Sequence, residues 1–197
     1  MPTSLHDDLL SMYSTYLDER GYQAVKVAET TTKTPDLEVR GHGNVYLNEF
    51  KSPDLRLDPV MELYKFATTN SKLWASIHKA VKQLAAYDPS HSMPWVITFA
   101  SVNFQLCWNS LREAMQGGAV LEGKVIFDWT RSAEFTRWTK DRYEADLYVW
   151  LQVNQRQPYQ ASFVTNDRSP YRSLVNDLVM NLRAKPLSDA DMDVLLV

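Results

Sequence analysis

Pro35-Asp36-Leu37-Glu38-Val39-Arg40-Gly41-His42-Gly43-Asn44-Val45-Tyr46-Leu47-Asn48-Glu49-Phe50-Lys51 is the most informative stretch of this chain. Two strand-like runs, 36–40 and 44–51, flank the glycine-punctuated segment Arg40-Gly-His-Gly-Asn44, which reads as a hairpin turn. His42 at its tip is expected to be an exposed turn residue. Side chains alternate faces along a strand, so Val45, Leu47, Glu49 and Lys51 share one face. Tyr46, Asn48 and Phe50 share the other. A strand largely apolar on both faces belongs in the middle of a sheet. A carboxyl and an ammonium at the end of such a strand are costly to bury unless each has a partner or a task. The hairpin also carries Asp36 toward Glu49. Two converging carboxylates repel unless a cation lies between them, and their oxygens suit a hard ion such as Mg²⁺ or Mn²⁺.

Upstream, Leu5, Leu9, Met12, Tyr13, Tyr16 and Leu17 recur at helical spacing, predicting a helix over 5–20. Ser4 and Asp7 form its capping box and Gly21 its stop. A strand is expected over 23–28. Downstream, Ser52-Pro53 ends the third strand, and Asp58-Pro59 opens a short helix to about Phe66. The pattern over 71–87 is helical, with Leu73, Ile77, Ala80, Val81 and Leu84 on its apolar face. Lys79, Gln83 and Tyr87 recur every fourth residue as a polar stripe, with Ser76 beside it. A buried strand is expected over 95–102. Beyond it come a helix around 111–115 and strands over 124–129, 145–153 and 160–165. A last helix runs to about Ala184, with Pro170 at its first position, and 189–193 is an acidic segment.

Pro35-Asp36, twelve residues, then Glu49-Phe50-Lys51 resembles the PD-(D/E)xK nuclease motif, and helix, three strands, helix, strand is that superfamily's core order. Gln83-Leu-Ala-Ala-Tyr87 resembles the Q-x-x-x-Y motif of RecB-like members. The resemblance covers about 4–101. It implies a restriction-endonuclease-like α/β fold with an αβββαβ core: a central mixed sheet flanked by helices, followed by C-terminal β/α additions over 102–197. One domain over 1–197 is expected. It also implies a Mg²⁺- or Mn²⁺-dependent nuclease, acting on DNA first, with Asp36, Glu49 and Lys51 as catalytic residues. Asp36, Glu49 and the backbone carbonyl of Phe50 would hold metal. Asp8 in the first helix is a further candidate ligand by analogy with Holliday-junction resolvase-like members, with His6 as the alternative that RecB-like members suggest. Lys51 would position or activate water, and Lys79, Gln83 and Tyr87 would contact substrate. A homodimer is compatible with the resemblance. Two other readings stay open: a catalytically inactive nuclease-fold module that binds nucleic acid or protein, and an unrelated α/β protein in which the motif is coincidental. In the last case the two carboxylates would lie far apart, or Lys51 would point away from both.

The bulk properties set outer limits. The chain has 197 residues, of which 45% are apolar and 23% charged, a composition suited to a packed core rather than to disorder. Its net charge of −3 provides no global attraction to nucleic acid, so any such contact must come from a local basic surface. The lone Cys107 excludes an intrachain disulfide and a Cys-x-x-Cys clip; in its apolar setting it is expected to be a buried structural residue. No signal peptide and no membrane span are read from the sequence, and a cytoplasmic location is expected. Asp7 is expected to be a cap, and His78 and His91 surface or satisfied histidines. Six tryptophans are expected to pack in the core or an interface. Trp138 is set apart by Arg131, Arg137, Lys140 and Arg142 around it, which admit two readings, a nucleic-acid grip or an exposed helix face.

Overall fold

The computed structural model describes residues 4–28, 33–53, 66–103, 106–121, 124–128, 130–131, 133–154 and 157–183. Helix α1 (Leu5–Asp18) starts at the Ser4/Asp7 capping box. It ends before Gly21, whose φ of +78° favours a residue without Cβ. Three strands follow, β1 (Tyr22–Lys26), β2 (Leu37–Gly41) and β3 (Asn44–Lys51), paired as an antiparallel meander. The β2–β3 turn holds His42 and Gly43 at φ +50° and +77°, the positive pair that suits the twist of a tight hairpin. His42 also reaches back to the Arg20 carbonyl oxygen at 2.9 Å, so the turn clasps the end of α1.

Helix α2 (Phe66–Tyr87) crosses back over the sheet and delivers β4 (Trp95–Ser101) parallel to β3. A parallel neighbour requires such a crossover. The next crossover is longer: α3 (Trp108–Gln116), a separate hairpin of β5 (Gly118–Leu121) and β6 (Lys124–Asp128), then α4 (Ala133–Asp141). It delivers β7 (Leu147–Asn154) parallel to β4, and β8 (Gln157–Thr165) returns antiparallel at the edge. Helix α5 (Arg172–Arg183) closes the described chain. The main sheet runs β1-β2-β3-β4-β7-β8.

Each face of this sheet has its own apolar core. Leu47, Ile97, Phe99, Tyr148 and Trp150 pack with Leu73, Ile77 and Leu84 of α2, Leu111 of α3 and Trp138 of α4. Leu37, Val39, Tyr46, Phe50, Val96 and Val149 pack with Leu9, Tyr13 and Leu17 of α1 and with Val175 and Leu178 of α5. The result is a mixed α/β architecture with helices on both faces, compatible with the restriction-endonuclease-like fold expected. Tyr46 through Phe50 are all buried, in keeping with β3's place between β2 and β4.

Gly41 illustrates how tightly the meander closes. A Cβ there would lie 2.4 Å from the Tyr22 ring and 2.7 Å from the Gly21 carbonyl oxygen. Gly41→Ala is therefore expected to cost about 1–3 kcal/mol, to be read as a lower midpoint in urea with an unchanged slope.

Several expectations are corrected. Pro170 is not the first residue of α5: the helix begins at Arg172, because Ser169 and Tyr171 form a separate turn in which the Ser169 hydroxyl accepts from the Tyr171 N–H. Helix α2 begins earlier than 71, and β5 was not anticipated. Trp138 is not a surface grip. It is 3% exposed and packs against Trp74 and Phe135. Cys107 is half-buried at the start of α3 rather than sealed in the core. The short helix expected from Asp58 and the acidic segment 189–193 lie outside the described residues.

Candidate functional site

The β2–β3 register sets Leu37 opposite Asn48, which places Asp36 beside Glu49 just beyond the last pair. Asp36 Oδ2 accepts the Phe50 N–H at 2.8 Å. In an extended strand a residue's N–H and C=O leave on the same side, so the Phe50 carbonyl is directed toward the Asp36 edge as well. Glu49 lies on the face covered by α2 and is 0% exposed. Its Oε1 accepts from Lys51 Nζ. Its Oε2 is buried without a hydrogen-bond partner among the described residues. An orphaned buried carboxylate oxygen is unusual and calls for an explanation such as an ion.

Helix α2 completes the cluster through Gln83. Lys51 Nζ lies 3.4 Å from Gln83 Oε1, and Gln83 Nε2 donates to the Thr34 carbonyl at 3.3 Å. Gln83 therefore ties the lysine to the segment that leads into Asp36. Lys79 and Tyr87, one turn to either side on the same stripe, are exposed, Tyr87 to 39%. On α1, Asp7 is occupied by the cap and Asp8 is exposed in the first turn. His6 is the α1 side chain that meets the end of β3. Its Nδ1 lies 2.9 Å from Ser52 Oγ, and its ring packs edge-on against Phe50 at 5.6 Å. Phe50 belongs to the α1 face, so His6 approaches from the side of the sheet opposite Glu49.

Burial pushes the Glu49 carboxyl up to about 7; the Lys51 charge opposes this and the Asp36 charge adds to it. A proton held in the folded state and released on unfolding stabilises the fold below the ordinary carboxylate pKa of 4.5, and that stability is lost as pH rises through about 7. We expect metal-free protein to lose stability across this window, by an amount on the order of 3 kcal/mol at most. Glu49→Gln should flatten the loss, as thermal unfolding from pH 4 to 8 would read directly.

Among the described residues no three His, Cys, Asp or Glu side chains cluster closely enough to hold a metal by themselves. Asp36 and Glu49 are two hard-oxygen ligands, and Phe50 brings a backbone oxygen to the same edge. That set fits Mg²⁺, which commonly takes one or two carboxylates and completes its shell with water and substrate oxygens.

Other buried polar groups escaped the sequence reading. Asp146 is 0% exposed. Its Oδ2 accepts from the Trp95 N–H and meets His91 Nε2, each at 2.7 Å, while its Oδ1 accepts from Ser169 Oγ at 2.5 Å. Nothing in the run Ala145-Asp146-Leu147 marks it in advance. Asp88 had a legible signal, an Asp-Pro pair after a helix. It accepts the Ser92 and Met93 N–H groups at 2.9 and 3.2 Å and the Trp95 indole N–H at 3.1 Å. His78 and His91 are both satisfied, by Asp141 and Asp146.

No family model and no curated protein matches the sequence. Among solved structures, Pyrococcus furiosus SfsA in complex with Ca²⁺ is similar to 78% of this chain and 60% of its own, with 11% identity and a TM-score of 0.36. The chain thus spans three fifths of that protein's length. Among the described residues no helix is long and apolar enough to cross a membrane.

Proposed function

We propose that this chain is a Mg²⁺-dependent nuclease that hydrolyses phosphodiester bonds in DNA. One observation carries the reading: a fully buried glutamate with an unpartnered carboxylate oxygen stands at the end of a central strand, with Asp36 beside it and Lys51 on the same face. Such an arrangement is costly for stability alone and useful for holding a cation. Asp36, Glu49 and the Phe50 carbonyl would hold the ion, and Asp8 or His6 of α1 would be the next group to contribute. Bound there, Mg²⁺ would supply Lewis acidity toward a phosphoryl oxygen and an acidified water.

The chain's own side chains do the rest. Asp36, through its bond to the Phe50 N–H, fixes the edge at which the carbonyl oxygen is presented. Lys51 is held by Glu49 and Gln83, so its ammonium is positioned to orient an incoming water and to balance negative charge as phosphorus gains its fifth oxygen. Gln83 keeps α2 in register with the Asp36 segment. Tyr87 and Lys79, exposed on that helix, face the solvent from which nucleic acid would arrive. Residues 1–197 are taken as one functional unit, and a homodimer is compatible with it.

A second reading, a nuclease-fold binding module without activity, draws on the other side of the same observation. Glu49 is wholly buried and already paired with Lys51. The experiment that separates the two is cleavage of single-stranded, double-stranded and branched DNA, with RNA alongside, in Mg²⁺ or Mn²⁺. Wild-type cleavage that falls at least a hundredfold in Lys51→Ala, on the order of what one transition-state contact is worth, supports the nuclease. Intact folding and nucleic-acid binding with no cleavage of any substrate favours the module.

A further inference from the structure

A second cleft lies away from the carboxylate pair. It is lined by the C-terminal half of α3, the α4–β7 turn, β7 and the end of β8, and has a volume of about 230 Å³ that opens to solvent. Register places it on the same sheet face as Glu49. Glu49, Ile97, Tyr148 and Val164 form one row across β3, β4, β7 and β8, so Val164 is three strands, roughly 14 Å, from Glu49.

Met115, Tyr148 and Val164 give this cleft an apolar floor, and its walls carry Arg112, Arg142 and Tyr143. The guanidinium carbons of Arg142 and Arg168 lie 4.5 and 4.2 Å from the Tyr143 ring centroid, so the two cations are no more than about 9 Å apart. Among the described residues, none of Arg112, Arg142 and Arg168 lies within ion-pair distance of a carboxylate. Among the acidic neighbours, Asp141 is bonded to His78, Asp167 lines the rim and stands 4.0 Å from exposed Arg172, and Glu113, beside Arg112 in sequence, feels the Arg112 charge. Arg142 is held by the Met115 carbonyl and the Tyr143 hydroxyl, while its Nε–H is buried without an acceptor among the described residues.

The arginines are also held in place from behind. Asn166 Nδ2 donates to the carbonyls of Tyr143 and Ala145 at 2.7 and 3.0 Å, and its Oδ1 accepts the Arg168 N–H at 2.9 Å. One side chain thus locks the turn bearing Arg142 to the turn bearing Arg168. Arg112 and Arg142 line the cleft, and Arg168 packs on the Tyr143 ring just outside that lining; several guanidiniums on a fixed frame match a dianion better than a single carboxylate, since each offers a planar fork of donors. The apolar floor suits an uncharged body attached to that anion.

We propose that this cleft binds a small phosphomonoester with an apolar or aromatic body, anchored by Arg112, Arg142 and Arg168. The proposal is independent of the nuclease reading. It is tested by calorimetric titration of the full chain with adenosine 5′-monophosphate, adenosine and inorganic phosphate. EDTA is included throughout, so that no cation bridges the nucleotide to Asp36 and Glu49. The expected result is saturable binding of the monophosphate below about 1 mM. Adenosine should bind far more weakly. Arg112→Gln and Arg168→Gln, both exposed positions that leave the core untouched, should each weaken binding about tenfold, the scale of one charge-assisted contact. Glu49→Gln should leave it unchanged. Absence of binding by the monophosphate and by inorganic phosphate up to about 10 mM overturns the proposal. So does binding that both arginine variants retain in full, or binding lost in Glu49→Gln.

Discussion

On the proposed nuclease reading, Glu49→Gln is expected to lower metal-dependent cleavage by about three orders of magnitude while making the metal-free protein more stable above pH 7. Both effects follow from one placement. Glu49 is fully buried, with one oxygen on Lys51 and the other unpartnered. Glutamine keeps the shape and an acceptor for Lys51 but removes the anionic oxygen that a hard cation requires. The loss of a ligand from a metal-assisted site removes charge stabilisation where it is largest, in a water-poor setting. On the stability side, burial pushes the glutamate up to about 7. Above that pH the folded state must hold a desolvated carboxylate, which the amide avoids. Activity lost and stability gained in one substitution marks a functional group maintained at the expense of the fold. A residue kept for packing alone would show stability falling and no change specific to metal. The readouts are initial cleavage rates at saturating Mg²⁺ and thermal midpoints in EDTA at pH 8.

The second large effect concerns a group remote from this chemistry. Asp146→Ala is expected to destabilise the protein by about 3–5 kcal/mol, a fall in thermal midpoint of about 6–20 °C for a chain of this size. The carboxyl of Asp146 serves three donors from three places in the chain: His91 after α2, the Trp95 N–H at the start of β4, and Ser169 before α5. Its backbone is engaged too, donating to the Trp95 carbonyl at 2.9 Å and accepting from Asn166 at 3.0 Å. His91 sits at φ +48°, a conformation that a non-glycine residue keeps only when surroundings hold it there. Here its ring stacks on Trp95 at 4.1 Å and its carbonyl accepts from the Tyr171 hydroxyl at 2.6 Å. Alanine would leave three donors without their acceptor, two of them, the Trp95 N–H and the Ser169 hydroxyl, in a buried site. Asp146→Asn, which retains one carbonyl oxygen, should lose less.

What was legible in the sequence follows physical range. The hairpin, the first helix and its cap, α2 and the buried strand β4 are encoded by local periodicity and turn chemistry, and they stand within a few residues of expectation. Asp36 and Glu49 come together because a tight turn fixes register, and a turn is a local event. Gln83 was readable as part of a stripe, but its bond to the Thr34 carbonyl depends on how α2 crosses the sheet, which no local pattern encodes. Asp146 and the cleft beside Tyr143 depend on α3, α4, β7 and β8 meeting, each distant in sequence. The interior place of Trp138 was missed because the neighbouring basic residues suggested a surface, whereas amphipathic α4 turns its indole inward against Trp74.

The most direct test of the proposed centre is Mn²⁺ binding followed by electron paramagnetic resonance on wild type, Asp36→Asn and Glu49→Gln. Mn²⁺ stands in for Mg²⁺ as a hard, oxygen-seeking ion. The account predicts stoichiometric loss of the free-ion signal in wild type, with binding weakened at least tenfold in each variant. Well-folded wild-type protein that leaves the free-ion signal intact at millimolar Mn²⁺, or variants that bind as tightly as wild type, would contradict it.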